Sequence, residues 1–397
     1  MGCGAPKEAK RKIAIIGANE FQNPLILAAK ARGLKTHVFA WESGDIGEEN
    51  ADFFHPISIV DKEEILDACR EIGIDGVATI ASDLANITVA YVADGLGLTA
   101  NSLDCVERST NKELMRRTFE AQGDPSPKSI AVRSVEDLEG VDLEFPVIVK
   151  PSDRSGSRGI TKVRTGDQLP EAIKRALGES FGETALVEEF AEGDEYSVEY
   201  ISWEGKHQFL ALTEKFTTGA PVFIELGHLE PARVDERRER AIRDVVEHAL
   251  DSLGVTYGAS HSEVKVDADG NVKIIEIGSR MGGDCIGSHL VELSTGYDFV
   301  DAVIDVALGQ EPPLMTDGER LRHCAAVRFV FGDEDMEALS ALESQNPERI
   351  ALRTPICLDG HEIVDSGSRY GFFVFSGDSL EEVEPYLPSH DVERLPA

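Results

Sequence analysis

The sequence predicts a mixed α/β fold that begins with a parallel sheet covered by helices. In residues 12–97, buried apolar runs such as KIAIIG alternate with amphipathic stretches. Strands that alternate with helices are typical of a parallel sheet with both faces covered. Residues 255–287 add a second signal, because two segments with period-two alternation flank Asp269-Gly270. That dipeptide is typical of a tight antiparallel hairpin.

Composition restricts the class of protein. The chain has 397 residues, enough for two or three domains, and a formal net charge of −34. Such acidity argues against nucleic acid or an anionic membrane as a partner. No apolar run approaches membrane-spanning length, and the start, MGCGAPKEAKRK, has no apolar signal region. The six cysteines lack metal-site spacing. A cytoplasmic protein with reduced thiols is expected.

Residues 255–287, the acidic hairpin, carry the most specific chemical signal. A two-residue turn places Val264 opposite Ile275 on a core face, and it places Glu263 directly opposite Glu276. Facing carboxylates repel by on the order of 3 kcal/mol at an effective dielectric near 20. A hard divalent cation with oxygen ligands would relieve that repulsion. Lys265 could instead neutralise part of the charge.

The end of the hairpin strengthens the cation hypothesis. Arg280 lies four residues beyond Glu276, and Gly282-Gly283 follow. An arginine and two glycines suit contacts with an anion close to a metal. The residues therefore predict a metal-bound phosphate site.

Residues 145–165, FPVIVKPSDRSGSRGITKVRT, form the second signal, the glycine flap. An apolar strand delivers Lys150 and then a loop of serine, glycine and arginine, and a second strand returns. Glycines let the backbone approach phosphate oxygens, and successive N–H groups bind anions. It is not a Walker A loop, because GxxxxGK[ST] is absent. A mobile surface hairpin would explain the glycines but not Lys150, Arg154 and Arg158.

Two weaker signals flank the glycine flap. Residues 104–122 predict a helix capped by Asn111, with Lys112 in its first turn. A lysine is unfavourable at a helix start, so Lys112 either reaches elsewhere or is solvated. Residues 185–205 predict a strand, a connector and a strand. The backbone of 188–191 could face adenine there, and Glu195 could face ribose.

The first loop, residues 17–20, lacks GxGxxG, so a nicotinamide enzyme is disfavoured. Asn19, Asn23 and Asp83 follow predicted strands, where α/β folds place ligands and also helix caps.

The three segments 147–164, 187–199 and 258–283 occur in the order that is typical of the ATP-grasp superfamily. Over roughly residues 12–310 the chain resembles that superfamily, and GASHSEVKV…IIEIGSRMGG is most similar to its L-amino-acid ligase branch, beside the carbamoyl-phosphate-synthase-like enzymes. The resemblance implies an N-terminal α/β domain (1–105), an ATP-grasp domain (106–315, flap subdomain about 125–190) and a C-terminal α+β lobe (316–397).

The resemblance implies ATP and Mg²⁺ (or Mn²⁺) as cofactors, and it implies the following residue roles. The phosphates would be held by Lys112 and Lys150 and covered by Ser155, Gly156, Ser157, Arg158 and Gly159. Adenine would lie against Glu188, Phe190 and Ala191, and ribose against Glu195. Glu263 and Glu276 would ligate the metal, and Arg280 would stabilise the transferred phosphoryl group together with Lys150. Weaker substrate candidates are His261, Lys215, His228, Gly282 and Gly283, although the histidines could equally be structural. Arg328 and Arg369 could bind a substrate carboxylate or could pair with surface acids.

One position departs from the family pattern Glu-x-Asn-x-Arg. Residue 278 is glycine, so the asparagine that ligates metal in many members is missing. The resemblance leaves the number of metal ions open.

The implied activity is an ATP-dependent carboxylate–amine ligase that acts through an acyl phosphate on an amino acid or small carboxylic acid. One alternative is a carboxylase, carbamoyl-phosphate or purine-synthesis enzyme that activates bicarbonate or formate. Another is a nucleotide-binding module without catalysis. The expected partners are small molecules, and a homodimer is only an analogy to this fold class.

Overall fold

A parallel sheet forms the N-terminal layer, as the sequence predicts. The computed structural model describes residues 10–154, 156–220, 223–316, 321 and 323–389. The strands are β1 (Lys12–Ile16), β2 (Lys35–Phe39), β3 (Phe53–His55) and β4 (Gly76–Ala78), in the order β3-β2-β1-β4. The helices around them are α1 (Asn23–Ala31), α2 (Ile46–Asn50), α3 (Lys62–Ile72) and α4 (Asp83–Leu96). The central strand β1 is the most apolar because helices cover both faces of the sheet.

Two helices, rather than one, connect this layer to the next. Helix α5 (Leu103–Thr110) ends before Asn111, and α6 (Lys112–Gln122) begins after it. The Asn111 side chain accepts hydrogen bonds from the backbone amides of Glu113 and Leu114, so the predicted cap is confirmed. Because the Asn111 backbone is extended, the single predicted helix is divided at this residue. Lys112 is thereby the first residue of α6.

A four-stranded antiparallel sheet carries the glycine flap. Its strands are β5 (Ser129–Val132), β6 (Val147–Pro151), β7 (Thr161–Val163) and β8 (Ala185–Glu189), in the order β5-β8-β6-β7. Helix α7 (Leu169–Glu179) packs on this sheet. The predicted strand–loop–strand arrangement of the glycine flap is confirmed, with β6 and β7 as its strands.

Within the described residues, the largest sheet has eight strands in the order β13-β12-β9-β10-β11-β14-β16-β15. The central strands include β9 (Asp194–Trp203), β10 (Lys206–Thr217), β11 (Glu225–Glu230) and β12 (Gly258–Val266), and β13 (Val272–Gly278) is an edge strand beside β12. The C-terminal strands are β14 (Cys324–Phe329), β15 (Ile350–Arg353) and β16 (Phe372–Gly377). The remaining helices are α8 (Glu236–Leu253), α9 (Val291–Thr295), α10 (Phe299–Ala307), α11 (Asp333–Gln345) and α12 (Leu380–Val383). The predicted domain boundaries stay a prediction.

The acidic hairpin has the predicted pairing at its carboxylates and a different pairing near its turn. Glu263 faces Glu276, but Val264 faces Ile274 rather than Ile275. The turn is one residue longer than predicted, because Asp267 and Asn271 are the hydrogen-bonded pair that closes it. A bulge at Ile275 restores the register. The predicted core position of Ile275 is therefore wrong, and Ile274 is the fully buried residue.

The two faces of the central strands differ in polarity. Helix α8 packs Ile242 and Val246 against apolar side chains of the sheet such as Val198 and Val264. The opposite side carries carboxylates and lysines that lie between the glycine flap and the N-terminal layer. Burial of charge on a sheet face is unfavourable unless the groups are paired. Among the described residues, none of the helices has the length and hydrophobicity of a transmembrane span.

Candidate active site

The facing carboxylates of the acidic hairpin are each held by a lysine. Lys215 Nζ lies 2.6 Å from Glu263 Oε1, and Lys112 Nζ donates to Glu276 Oε1 at 2.7 Å. Lys112 is buried and also donates to the Arg154 carbonyl at 2.7 Å. Lys112 therefore reaches inward, and the alternative of a solvated lysine is wrong. The predicted repulsion between Glu263 and Glu276 is relieved by two ammonium groups.

Lys215 is the centre of a cluster of carboxylates. Its Nζ lies 2.7 Å from Glu195, 2.6 Å from Glu263 and 3.9 Å from Glu225. Burial alone would lower the pKa of Lys215, but these carboxylates raise it well above its ordinary value. Lys215 and His261 in turn hold the pKa of Glu263 well below its usual range, against the opposing effect of burial. Lys215 and Glu263 are therefore both charged at neutral pH.

His261 is fixed by an acidic partner from the neighbouring strand. Its Nδ1 is hydrogen-bonded to Glu199, which is fully buried, and its Nε2 lies 3.6 Å from Glu263. Burial opposes protonation of His261, but Glu199 and Glu263 raise its pKa to about 9. The Gly282 amide also donates to Glu199, at 3.2 Å. His261 is consequently a cation at neutral pH.

Arg280 makes its main contact with the N-terminal layer. Its Nε and Nη2 each donate to one carboxylate oxygen of Asp83 at 2.8 Å. Asp83 is the first residue of α4, and Ser82, not Asp83, is the helix cap. Although burial opposes ionisation of Asp83, Arg280 lowers its pKa. Of the three residues that follow predicted strands, Asn19, Asn23 and Asp83, it is Asp83 that pairs with Arg280 at the end of the acidic hairpin.

Lys150 belongs to a buried group of three charges. Its Nζ lies 2.6 Å from Glu188, which also accepts from Arg116 at 2.8 and 3.2 Å. Burial lowers the pKa of Lys150, an effect that Glu188 opposes. Burial also disfavours the Glu188 anion, but Arg116 and Lys150 lower its pKa to about 2. Because its carboxylate is occupied, only the Glu188 backbone is left to meet a base.

The glycine flap is closed over the site by two contacts. Ser157 Oγ donates to the Phe223 carbonyl at 3.0 Å, and Arg158 Nε donates to Asp365 at 3.1 Å. Gly159 has a left-handed φ of +68°, which glycine adopts without strain. Ser155, which the sequence predicts to cover phosphate, lies outside the described residues.

Two cavities meet at Glu263 and Lys215. One, of about 120 Å³, lies beneath the glycine flap and is lined by Lys112, Lys150, Ser157, Ile160, Glu188, Phe190, Ala191, Glu195, Ile275 and Glu276. The other, of about 260 Å³, is lined by Phe21, Asp83, Gly156, Arg158, His228, His261, Arg280, Gly283, Asp284, Ser366 and Arg369. Nearly all of the described candidates predicted from the sequence line one of the two. A larger cleft of about 890 Å³, between α6 and β5, contains none of the hairpin carboxylates.

The far wall of the second cavity comes from strand β11, the loop after β13 and the loop before β16. Arg369 donates to both oxygens of Asp284, at 2.7 and 3.0 Å. His228 is buried, with Nε2 3.7 Å from Asp284. Arg369 and His228 lower the pKa of Asp284, although burial opposes them. Arg328, the other tail candidate, instead pairs with Asp335 at 2.8 Å and does not line this cavity.

Sequence reasoning missed four acidic or basic residues of this site. Glu199 and Glu225 lie inside strands β9 and β11, and Arg116 lies on α6. Asp284 follows Gly283 with a left-handed φ of +50°. The alternation of Glu195, Ser197 and Glu199 on one face of a buried strand was a signal that could have found Glu199.

The chain is similar to several known proteins. Residues 143–288 match the model of the ATP-grasp domain. The alanine–anticapsin ligase of Bacillus subtilis is 25% identical over 301 residues, which cover 66% of this chain and 63% of that protein. The D-alanine–D-alanine ligase of Actinobacillus pleuropneumoniae is 29% identical over 218 residues, 53% of this chain and 68% of that one.

A solved structure extends the similarity to the whole fold. The L-amino acid ligase from Bacillus licheniformis superposes with a TM-score of 0.81 at 25% identity, with 96% of each chain covered. By sequence, the chain spans less than two thirds of the length of the alanine–anticapsin ligase it matches.

Proposed function

From the premise that the chain is a member of the ATP-grasp superfamily, with similarity to its L-amino-acid ligase branch, we propose that it is an ATP-dependent carboxylate–amine ligase. The observation that carries the proposal is the junction of two cavities at Glu263, opposite Glu276. The lysines and the glycine flap that line one cavity suit the phosphates of a nucleotide, and the charged lining of the other suits a small charged substrate. A binding module has no need of a second charged cavity at the metal carboxylates.

The cavity beneath the glycine flap would take ATP. Lys112 and Lys150 would contact its phosphates, and Gly156, Ser157, Arg158 and Gly159 would cover them, with Ser155 predicted beside them. Adenine would lie between apolar residues such as Ile160 and Ile275, against Phe190 and Ala191 and the backbone of Glu188. The ribose hydroxyls would donate to the Glu195 carboxylate, which lies at the same cavity.

Glu263 and Glu276 fit a divalent cation by the chemistry of their oxygen ligands. Within the described ranges, no group of three or more His, Cys, Asp or Glu side chains is arranged so that it could hold a metal ion. The other ligands would therefore be phosphate oxygens and water, as Mg²⁺ prefers. When bound, Mg²⁺ or Mn²⁺ would neutralise charge on the transferred phosphoryl group.

In the proposed reaction, a substrate carboxylate oxygen attacks the γ-phosphorus of ATP and ADP leaves. An amine nitrogen then attacks the carbonyl carbon of the acyl phosphate, phosphate leaves and the amine loses a proton. Lys150 and Arg280 would stabilise the negative charge that gathers on the phosphoryl oxygens. The closed glycine flap would exclude water, which would otherwise hydrolyse the acyl phosphate.

The charge state of His261 limits its role. With a pKa of about 9, His261 is protonated at neutral pH and can stabilise an anion but cannot accept the proton of the amine. His228, Asp284 and Arg369 form the wall where an amino-acid substrate would bind. An arginine suits its carboxylate and an aspartate suits its amine.

The test is phosphate release from Mg·ATP, with and without a pool of the twenty amino acids. Wild type is compared with Glu276→Ala and with Asp269→Asn, an exposed acidic residue at the tip of the same hairpin. We expect amino-acid-dependent release that Glu276→Ala abolishes and Asp269→Asn retains. Omitting single amino acids then identifies the substrates. Bound ATP without amino-acid-dependent release would exclude the amino-acid ligase.

A further inference from the structure

A cleft of about 890 Å³ beside the nucleotide cavity has no role in the proposed reaction. It lies between α6 and β5, and its lining shares Pro127, Glu188 and Glu189 with the cavity beneath the glycine flap. Pockets that bind small molecules have volumes of about 300–1,000 Å³. The cleft is therefore large enough for a ligand of its own, and Glu188 borders both spaces.

Three buried polar atoms at this cleft lack a hydrogen-bond partner within the part of the chain that the structure describes. They are Arg116 Nη1, Asp124 Oδ2 and Ser129 Oγ, and all three residues line the cleft. The side chains of Arg116 and Asp124 are only 5% and 1% exposed. A buried donor or acceptor without a partner is unfavourable, so such atoms are usually satisfied by water or by a ligand. The unpaired atoms predict a ligand that carries an acceptor for Arg116 and a donor for Asp124.

The charge around Arg116 favours an anion. Its Nε and Nη2 donate to the two oxygens of Glu188 at 2.8 and 3.2 Å, and Nη2 also donates to the Ile275 carbonyl at 2.7 Å. Glu188 pairs with Lys150 as well, at 2.6 Å. Two cations therefore share one carboxylate, so the three side chains carry a net charge of +1. A carboxylate at Nη1 would balance that charge and fill the unpaired side of the guanidinium.

Asp124 favours a cation at a separate point of the cleft. It follows Gly123, which ends α6, and about 9 Å of helix lies between Arg116 and the last residue of α6. Asp124 Oδ1 lies 2.6 Å from Nδ1 of His248, a side chain that is 60% exposed. Oδ2 is left for a donor, and an ammonium group makes the strong, charge-assisted hydrogen bond that suits a carboxylate.

Strand β5 is an edge strand that offers its backbone to the cleft. It pairs with β8 on one side and has no strand partner on the other among the described residues. Ser129, Ile130 and Ala131 are consecutive in β5 and all line the cleft. Because successive side chains alternate between the two faces of a sheet, this consecutive run places the backbone of β5 along the cleft. An extended peptide pairs with such an edge through main-chain hydrogen bonds.

Resting on the proposed ligase function, we infer that this cleft is a second ligand site, which binds a short peptide with free termini, the class of product that the ligase would release. The peptide carboxylate would accept from Arg116 Nη1, and its ammonium group would donate to Asp124 Oδ2. The peptide backbone would extend β5. A single amino acid carries both charges but has no peptide group to pair with an edge strand.

The position of Glu188 couples this site to ATP. Lys150, which the proposed function places on the ATP phosphates, is held by the same carboxylate as Arg116. A negative charge added beside Arg116 lowers the positive potential at Lys150, so bound peptide would weaken the binding of ATP. By reciprocity, ATP would weaken the binding of the peptide by the same factor. The site would thus reduce the activity as product accumulates.

The first experiment titrates the full chain with L-alanyl-L-alanine by isothermal calorimetry, without nucleotide. The control ligands are L-alanine and N-acetyl-L-alanyl-L-alanine amide, which lacks both terminal charges. We expect the free dipeptide to bind and each control to bind about tenfold or more weakly, since charged hydrogen bonds carry the recognition. Equal binding of the free and the capped dipeptide would overturn the inference, as would no binding of either.

Two variants separate the cleft from the active site and from a structural effect. Asp124→Asn removes the charge of the acceptor, whereas His248→Gln removes the same His248–Asp124 contact and leaves Oδ2 in place. We expect Asp124→Asn to weaken dipeptide binding about tenfold or more and His248→Gln to retain it. If Asp124→Asn does not fold, Ala131→Trp, at an exposed position of β5, fills the cleft instead. Dipeptide binding that is unchanged in the folded cleft variant belongs to the active site and would overturn the inference.

The second experiment measures the Kd of β,γ-imido-ATP in the presence of Mg²⁺, with and without saturating L-alanyl-L-alanine. We expect the dipeptide to raise that Kd about fivefold or more in wild type and to leave it unchanged in Asp124→Asn. An equal Kd with and without dipeptide in wild type would overturn the regulatory role. Phosphate release from Mg·ATP with amino acids tests the ligase separately. Its absence would overturn the proposed function, whereas dipeptide binding that depends on Asp124 would leave the peptide site standing.

Discussion

The ammonium group of Lys215 lies 2.6 Å from the carboxylate of Glu263, so the proposed metal ligand is neutralised by a lysine in this structure. Glu195 lies on the other side of the same ammonium group, at 2.7 Å. A divalent cation at Glu263 would thus compete with Lys215 for the same oxygen.

Lys215→Met is expected to make the stability of the protein depend on metal. The substitution removes the buried cation that Glu195 and Glu263 share, which costs about 3–5 kcal/mol for a buried pair. Added Mn²⁺ would replace the missing charge, so its effect on Tm should be several degrees larger in the variant than in wild type. Lys206→Met, at the exposed start of the same strand, is the control. Equal metal-induced increases in Tm for wild type, Lys215→Met and Lys206→Met would contradict the competition between Lys215 and a metal ion for Glu263.

The raised pKa of His261 predicts that the protein loses stability at alkaline pH. Its pKa is raised to about 9 in the folded protein from 6.5, so its contribution is complete below pH 6.5 and is lost as pH rises through 9. The stabilisation that corresponds to this raised pKa is about 3 kcal/mol. Urea denaturation of wild type between pH 6.5 and 9.5 should show this decline, and His261→Gln should show a flatter profile. Parallel profiles would assign the decline to other groups.

Two adjacent glycines provide a matched steric test. A methyl group at Gly282 would lie 2.7 Å from His261 Nδ1 and 2.9 Å from Glu199, whereas one at Gly283 would meet only Ala81, at 3.4 Å. Gly282→Ala should destabilise the protein by about 1–3 kcal/mol, because it separates the His261–Glu199 pair. Gly283→Ala should stay close to wild type. Chemical denaturation measures the stability of the two variants, and phosphate release measures their activity. Equal effects of the two substitutions would contradict the close approach at Gly282.

Glu188 and Glu189 are neighbours with opposite environments. Glu188→Gln leaves Arg116 and Lys150 buried without an anion and should cost about 3–5 kcal/mol. Glu189 pairs with Lys273 and is 40% exposed, so Glu189→Gln should cost less than about 1 kcal/mol. The pKa of Glu188, about 2, also means that its stabilising effect persists above pH 4.5 and disappears as pH falls towards 2. Urea unfolding at pH 7 and at pH 3 tests both statements.

The local part of the site could be predicted from the sequence, and the packing around it could not. The pairing of Glu263 with Glu276 follows from period-two alternation and a turn, which involve only neighbouring residues. The pairing of Val264 with Ile275 was wrong because a longer turn and a bulge cancel each other along the hairpin. Two compensating irregularities leave the alternation of the carboxylates unchanged, so the pattern does not reveal them.

By itself, the sequence determined the α/β class, the order of the glycine flap and acidic hairpin, and the facing carboxylates, since each depends on residues close together in the chain. Tertiary structure decided which charges meet. Asp83 and Arg280 are 197 positions apart, and His261 and Glu199 are 62 apart. With 73 acidic residues and 39 lysines and arginines, the sequence offers each cation many partners. Packing selects the partner of each buried cation, because a buried charge is tolerated only where an opposite charge lies within hydrogen-bond distance.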